Sequence, residues 1–183
     1  MMLGKDDKVK LQSYLETKVG RPDRLVGELR ELLKERARDS YGKIVELDFI
    51  KNLEWIYEEG AKKIQDTPTW NEVGQIMSLI FDVAQDIGLG LIKKNKKVRE
   101  AVRLKVQVFG IPGQNSPYFE KFRYTMGMMG IKISGRDVKR PPQTIKKPRL
   151  WGVFGSKEVE VESTFYDKVW NIPSKEEILA QLS

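Results

Sequence analysis

Apolar residues recur at helical spacing along most of the first 130 residues, and the pattern changes character only beyond Gly130. Val9, Leu11, Leu15 and Val19 mark a short amphipathic helix over 5–19, which stops at Gly20 ahead of Arg21-Pro22. Pro22 suits the first turn of a second helix, in which Leu25, Leu29, Leu32, Leu33 and Ala37 follow one face. A third helix is expected over 41–64 from Ile50, Leu53, Tyr57, Ala61 and Ile64, with Leu47, Phe49 and Trp55 widening its apolar side. Thr69 and Glu72 have capping-box spacing, and Val73, Ile76, Met77, Ile80, Ala84, Ile87 and Leu91 then predict a helix over 70–93.

The stretch 94–109 fits two periods. Val102, Leu104, Val106 and Val108 alternate with polar residues as in a strand, while Val98, Val102, Val106 and Phe109 share a helical face. Good helix formers from Lys93 to Glu100, interrupted only by Asn95, favour the helix. Gly110 to Asn115 reads as a turn, after which Ser116-Pro117 supplies a cap and first-turn proline for a helix reaching Gly127 or Gly130.

The segment Arg140 to Arg149 is cationic and rich in proline, which removes backbone donors and favours an extended, polyproline-like arm. Leu150 to Phe154 and Lys157 to Tyr166 read as two strands joined at Gly155-Ser156, with Glu158, Glu160 and Glu162 on the face opposite Val159 and Val161. Ser174 and Glu177 form a second capping box before Ile178, Leu179 and Leu182. The expected fold is mainly α: a helical bundle over 1–130, an extended basic arm or linker over 131–149, and a small β-hairpin with a terminal helix over 150–183. The last piece should pack on the helical body or on a neighbouring subunit, since a lone hairpin is marginal.

Charge sharpens this picture. The chain carries a net charge of +7, but Lys93 to Arg149 holds sixteen basic residues against three acids, so the remainder is acidic. Such one-sided clustering is the footprint of a polyanion-binding surface, and duplex DNA is the expected partner. The candidate contacts are Lys93, Lys94, Lys96, Lys97, Arg99, Arg103, Lys105, Lys121, Arg123, Arg136, Lys139, Arg140, Lys146, Lys147 and Arg149. The competing reading is a solvated basic face, and the arm reads equally as a stiff linker or as a segment laid along phosphates.

Zero Cys and zero His exclude disulfides, thiolate nucleophiles, the usual zinc sites and His-dependent triads. The absence of Cys beside 32% charged residues suits a protein that works hot. Asp82 and Asp86 lie one helical turn apart and could hold magnesium, but no partner motif accompanies them and a solvated polar face accounts for both. Gly88-Leu89-Gly90 lacks the further glycine and the preceding strand of a phosphate loop. No enzyme activity, cofactor, metal or small-molecule substrate is therefore expected. No apolar run approaches the ~20 residues of a membrane span, and Met1 to Lys10 lacks the features of a secretory signal.

Phe109, Tyr118, Phe119, Phe122 and Tyr124 interleave with Lys121 and Arg123, an arrangement open to base stacking. Tyr118, Phe122 and Met126 recur on one helical face, which favours core packing and leaves the cations for backbone contact. The Gly and Met residues of Thr125 to Gly130 fit either close helix packing or an adaptable apolar surface for a protein partner.

The turn Phe109-Gly110-Ile111-Pro112-Gly113, followed by Tyr118, Phe122, Gly127 and Gly130, resembles the aromatic-Gly-Ile-x-Gly turn and following helix in coat proteins of rod-shaped and filamentous viruses of hyperthermophilic archaea. The resemblance spans about 25 residues and implies a helical-bundle subunit that pairs with itself or a sister coat subunit. Such a subunit wraps linear double-stranded DNA, forces it into the A form and sits in a helical virion. The expectation is thus a major coat protein binding DNA non-specifically through basic helices and arm. The alternative is a helical nucleic-acid-binding subunit of a larger cytoplasmic complex, such as a CRISPR effector small subunit or a replication accessory protein.

Overall fold

Apolar stripes at three- and four-residue spacing must be buried against one another, and most of this chain does so in a computed structural model that describes residues 3–16, 22–84, 89–148 and 156–183. The chain divides into two compact units, one formed by Met1–Lys132 with Pro173–Ser183 and the other by Ile133–Ile172.

The first unit is helical. Its elements are α1 (Lys5–Glu16), α2 (Pro22–Arg36), α3 (Glu46–Asp66), α4 (Trp70–Ala84), α5 (Leu89–Lys94), α6 (Lys96–Phe109), α7 (Phe119–Met128) and α8 (Lys175–Leu182). α3 lies at the centre and touches α1, α2, α4 and α6, while α4 also packs on α2 and α7, and α6 carries α8. Leu29 and Leu33 of α2, Leu53, Ile56 and Ile64 of α3, and Met77 and Ile80 of α4 are fully buried between them. The backbones of α3 and α4 approach closely at Gly60, where a Cβ would overlap the side chain of Ile80.

The two-period stretch is a helix. Val98, Ala101, Val102 and Val106 are buried on one face of α6, whereas Val108, which an alternating strand would place with Val106, is 74% exposed. Asn95 caps α6 by accepting the Val98 N–H at 3.1 Å, so the residue that interrupts the helix formers is the one that separates α5 from α6. Ser174 and Glu177 form the full reciprocal capping box of α8, and Glu72 N–H reaches Thr69 Oγ1 at 3.4 Å.

Several boundaries differ from expectation. The helix expected over 41–64 begins at Glu46, because Asp39 Oδ1 accepts the N–H groups of Tyr41 and Lys43 at 2.9 Å each. That local turn, with Gly42 at φ +77°, competes with helix for the same backbone donors. Of the helix expected over 70–93, α4 and α5 cover 70–84 and 89–94, and residues 85–88, including Asp86, lie outside the described residues. On α7 the core face is Phe119, Phe122 and Met126. Tyr118 precedes it as the cap residue and is 42% exposed.

The second unit is a two-stranded antiparallel ribbon made of β1 (Ser134–Lys139), β2 (Gln143–Pro148), β3 (Ser156–Val161) and β4 (Tyr166–Asn171). β1 pairs with β4 from Ser134↔Asn171 to Lys139↔Tyr166. β2 pairs with β3 from Gln143↔Val161 to Pro148↔Ser156. Between the two ladders residues 140–142 face residues 162–165, so the return strand carries one extra residue. Arg140 N–H still donates to Phe165 O at 3.0 Å. Pro141 and Pro142, which have no N–H to give, occupy the break. The arm expected over 131–149 is therefore the outgoing half of a ribbon rather than an unpaired polyproline segment. The strand expected at 150–154 and its turn residue Gly155 lie outside the described residues. The terminal helix α8 belongs to the helical unit and buries Ile178 and Leu182.

At the start of the helical unit, Asp7 accepts two hydrogen bonds from Arg36, from Nε at 2.7 Å and from NH2 at 2.9 Å, which ties α1 to the end of α2. The Arg36 hydrogen bond, working against the cost of burial and aided by the Gly4 N–H, holds the Asp7 carboxyl below its ordinary pKa. A depressed folded-state pKa contributes stability above the unfolded value and loses it as pH falls through the folded value. Asp7→Asn should therefore be less stable than the native chain at neutral pH, and its thermal midpoint should fall less steeply below about pH 4. Gly60→Ala should lower stability by about 1–3 kcal/mol through overpacking against Ile80, read as a shift of the urea midpoint.

Candidate nucleic-acid interface

Helix α6 decides the fate of five candidate cations, because its buried face fixes the rotation of every other position on it. Lys105 recurs with Val98, Ala101 and Val102 on that face and is only 8% exposed. Its ammonium donates to the carbonyl oxygens of Gln65 at 2.6 Å and Thr67 at 2.7 Å, and it lies 4.9 Å from the centroid of the Phe109 ring. Lys105 thus ties down the end of α3 and is withdrawn from any DNA-facing surface.

Arg99 is also occupied. It donates to Lys93 O at 2.9 Å and to Gln181 O, holding the carbonyl ends of α5 and α8. Arg103 forms a two-pronged pair with Glu100, both contacts at 2.7 Å, and that hydrogen bond raises the pKa of the guanidinium and lowers that of the carboxyl. Lys97 is paired with Glu58 of α3. On α7, Arg123 is paired with Glu120 at 2.6 Å. The stem of Lys121 lies over Gly74 of α4, where a Cβ would stand 3.0 Å from it.

On the ribbon, Lys139 is paired with Glu162 at 2.8 Å and Arg140 with Asp167 at 2.7 Å. Arg140 also sits 6.0 Å from the Phe165 ring centroid. Arg136 is exposed on β1. Arg149 lies outside the described residues, as do the side chains of Lys146 and Lys147.

What remains unmatched of the basic segment in the helical unit, among the described residues, is the exposed Lys132 beyond α7, the half-buried Lys121 and a group at the α5–α6 junction. Lys93 and Lys94 end α5 and Lys96 begins α6, all three are exposed, and among the described residues none has an acidic partner within ion-pair distance. Asn95 fixes the corner between them. Glu54 and Glu58 line the shallow depression beside Lys96 and Lys97, so one flank of the group is acidic. The sixteen basic residues counted along the sequence are divided between the two units, and most of those described are already matched to acids or carbonyls of their own unit.

The aromatic candidates are also reassigned by burial. Phe119 and Phe122 are core residues, with Trp70 edge-on to Phe122 at 4.9 Å and to Phe109 at 5.9 Å. The Trp70 indole N–H donates to Gly110 O at 3.3 Å and pins the α6–α7 turn, where Gly110 adopts φ +68°. Met126, Met128 and Met129 are buried, so they offer no adaptable apolar surface to a partner. Tyr124 is partly exposed and meets Phe81 at 6.5 Å.

Sequence reasoning missed the structural role of Lys105. The signal was available, because residues 98, 101, 102, 105 and 106 share one helical face once the helical period is chosen. Among the described residues no helix is long and apolar enough to cross a membrane, and no three acidic side chains converge as at a metal site. No protein-family model, curated protein or solved structure matches the chain.

Lys105→Met, which keeps the apolar stem and removes the ammonium, should cost about 1–3 kcal/mol by leaving buried carbonyls without donors. Calorimetry reads that destabilisation, and the salt dependence of DNA binding should not change. A reduced salt dependence would place Lys105 back at the interface.

Proposed function

We propose that the protein is a structural subunit that binds double-stranded DNA through its phosphate backbone without reading bases, and that it serves as a coat subunit of a helical virion. The observation that carries the reading is the group Lys93, Lys94 and Lys96, three exposed ammonium groups that have no acidic partner among the described residues, at one corner of the helical unit. Point charges on long stems neutralise phosphates irrespective of sequence and release condensed counterions as they do so. The resemblance of 109–130 to coat proteins of filamentous archaeal viruses supports the coat role, and the strained turn at Gly110 lies within that stretch. Affinity for duplex DNA comes from charge neutralisation and burial between subunits, with self or a sister subunit as the second partner. No reaction is assigned to the protein.

Linear double-stranded DNA mixed with the chain at low and high salt, viewed by negative-stain electron microscopy, tests the assembly. Uniform filaments that require both components are expected at low salt. Discrete complexes would favour an accessory subunit of a larger assembly, and bare DNA at low salt would overturn the reading. The triple variant Lys93→Ala, Lys94→Ala, Lys96→Ala should reduce the slope of log affinity against log salt by about 2–3, at ~0.9 for each phosphate that is no longer neutralised. Lys97→Ala, which removes a cation already matched to Glu58, should change the slope by less than about 0.9. An unchanged slope in the triple variant would remove the α5–α6 corner from the interface.

A further inference from the structure

The ribbon of residues 133–172 presents a different problem from the helices. Among its described residues it consists of two paired lines, each with an outer edge that has no ladder partner, and few of these residues are buried. Phe165 and Tyr166 are 68% and 62% exposed, and Val138, Val161 and Val169 are each more than a third exposed. Its charge is sorted by strand. The outgoing line over 134–148 carries five cations and the single anion Asp137, whereas the return line over 156–171 carries four anions and two cations. This sorting favours a complementary strand over a polyanion, because Lys139 and Arg140 are already matched to Glu162 and Asp167.

We propose that the ribbon is an assembly surface for a second copy of this chain, with the basic β1–β2 edge of one copy lying alongside the acidic β3–β4 edge of the next. Within one ribbon the two lines are antiparallel. A copy displaced sideways brings its outgoing line antiparallel to the first copy's return line, so the ladder continues with the same pairing sense. Across the joined sheet basic and acidic lines then alternate, so the cations of each outgoing line are flanked by a predominantly acidic line on both sides. A two-fold pairing would instead set like lines edge to edge, cations beside cations or anions beside anions. The head-to-tail arrangement leaves one basic and one acidic edge free at its ends, so it propagates instead of closing. β1, β3 and β4 contain no proline and can extend a ladder, while Pro141 and Pro142 confine the break to the bulge. This inference goes beyond the DNA reading and does not rest on it.

The chain has no native cysteine, so single cysteines report cleanly. Lys139→Cys and Tyr166→Cys place a thiol on opposite edges at one level of the ribbon. The two variants, mixed in the absence of nucleic acid and treated with a flexible bismaleimide, should give mixed dimers in excess over either homodimer. Predominant homodimers would mean two-fold pairing and overturn the proposal. Cross-links that appear only after duplex DNA is added would also overturn it and make the ribbon a nucleic-acid contact. Sedimentation of the unsubstituted chain provides the second readout. The mean mass should rise with concentration in dilute salt and fall in 1 M salt, where the screening length is about 3 Å. A monomer at every concentration would overturn the proposal.

Discussion

The burial of the α6 stripe against α3 is the contact on which the arrangement of the charged surface depends. Val98, Ala101, Val102 and Val106 are each fully removed from solvent, and a helix presents only one such face at a time. With the rotation of α6 fixed, Lys105 has to enter the interior, where it survives because two carbonyl oxygens at the end of α3 accept its protons. The same rotation turns Glu100 and Arg103 toward each other and sends Lys96 and Lys97 to the rim beside α3. Asn95, whose N–H donates to Ile92 O, and Arg99, whose guanidinium donates to Lys93 O, then position α5. The free lysine corner is a consequence of core packing at the other end of the same helix.

Counting charges along the chain overstates the field that a ligand would meet. A cation with an acid within hydrogen-bond reach presents a dipole to a distant phosphate, and a dipole decays faster than the screened field of a lone charge. Arg103, Arg123, Lys139 and Arg140 are all in that condition, and the acids concerned lie three residues along the same helix or across the ribbon. Exposed pairs of this kind contribute little to stability, so their main effect is to reduce the net positive surface. The lysines at the α5–α6 corner stand out because, among the described residues, none of them has an acid within ion-pair distance, and Glu100, four residues beyond Lys96, is held by Arg103.

Helix existence was legible from apolar spacing, and Thr69 and Ser174 marked the starts of α4 and α8 through chemistry that is local to a few residues, whereas Asn95 read only as an interruption and turned out to cap α6. The errors arose where a local bond or a tertiary partner outranked periodicity. Asp39 draws the N–H groups of Tyr41 and Lys43 into a turn and delays α3. Phe119 rather than Tyr118 enters the core, and the helix starts two residues later than the Ser116-Pro117 signal implies. The ribbon was the hardest element to read, because every residue of β1 is exposed and strand alternation records burial rather than pairing. Prolines suggested an unpaired arm, yet two of them sit in the break and the third closes a strand. Within the site, the sequence identified the basic segment but could not show which cations were already matched to acids.

Most arginines with a described contact act as fasteners in this chain, a role that Lys62, Lys97, Lys105 and Lys139 share. Arg36, Arg103, Arg123 and Arg140 bind carboxylates, and Arg30, Arg38 and Arg99 bind backbone carbonyls, so the planar fork is used as an internal fastener. The free corner is made of lysines, whose compact, strongly hydrated charges lack the fixed fork that bidentate base recognition uses. An interface intended to read sequence would place arginine, asparagine or glutamine where Lys93, Lys94 and Lys96 stand. Their chemistry instead favours many weak, interchangeable phosphate contacts, which gain strength from repetition along a polymer rather than from the geometry of a single site.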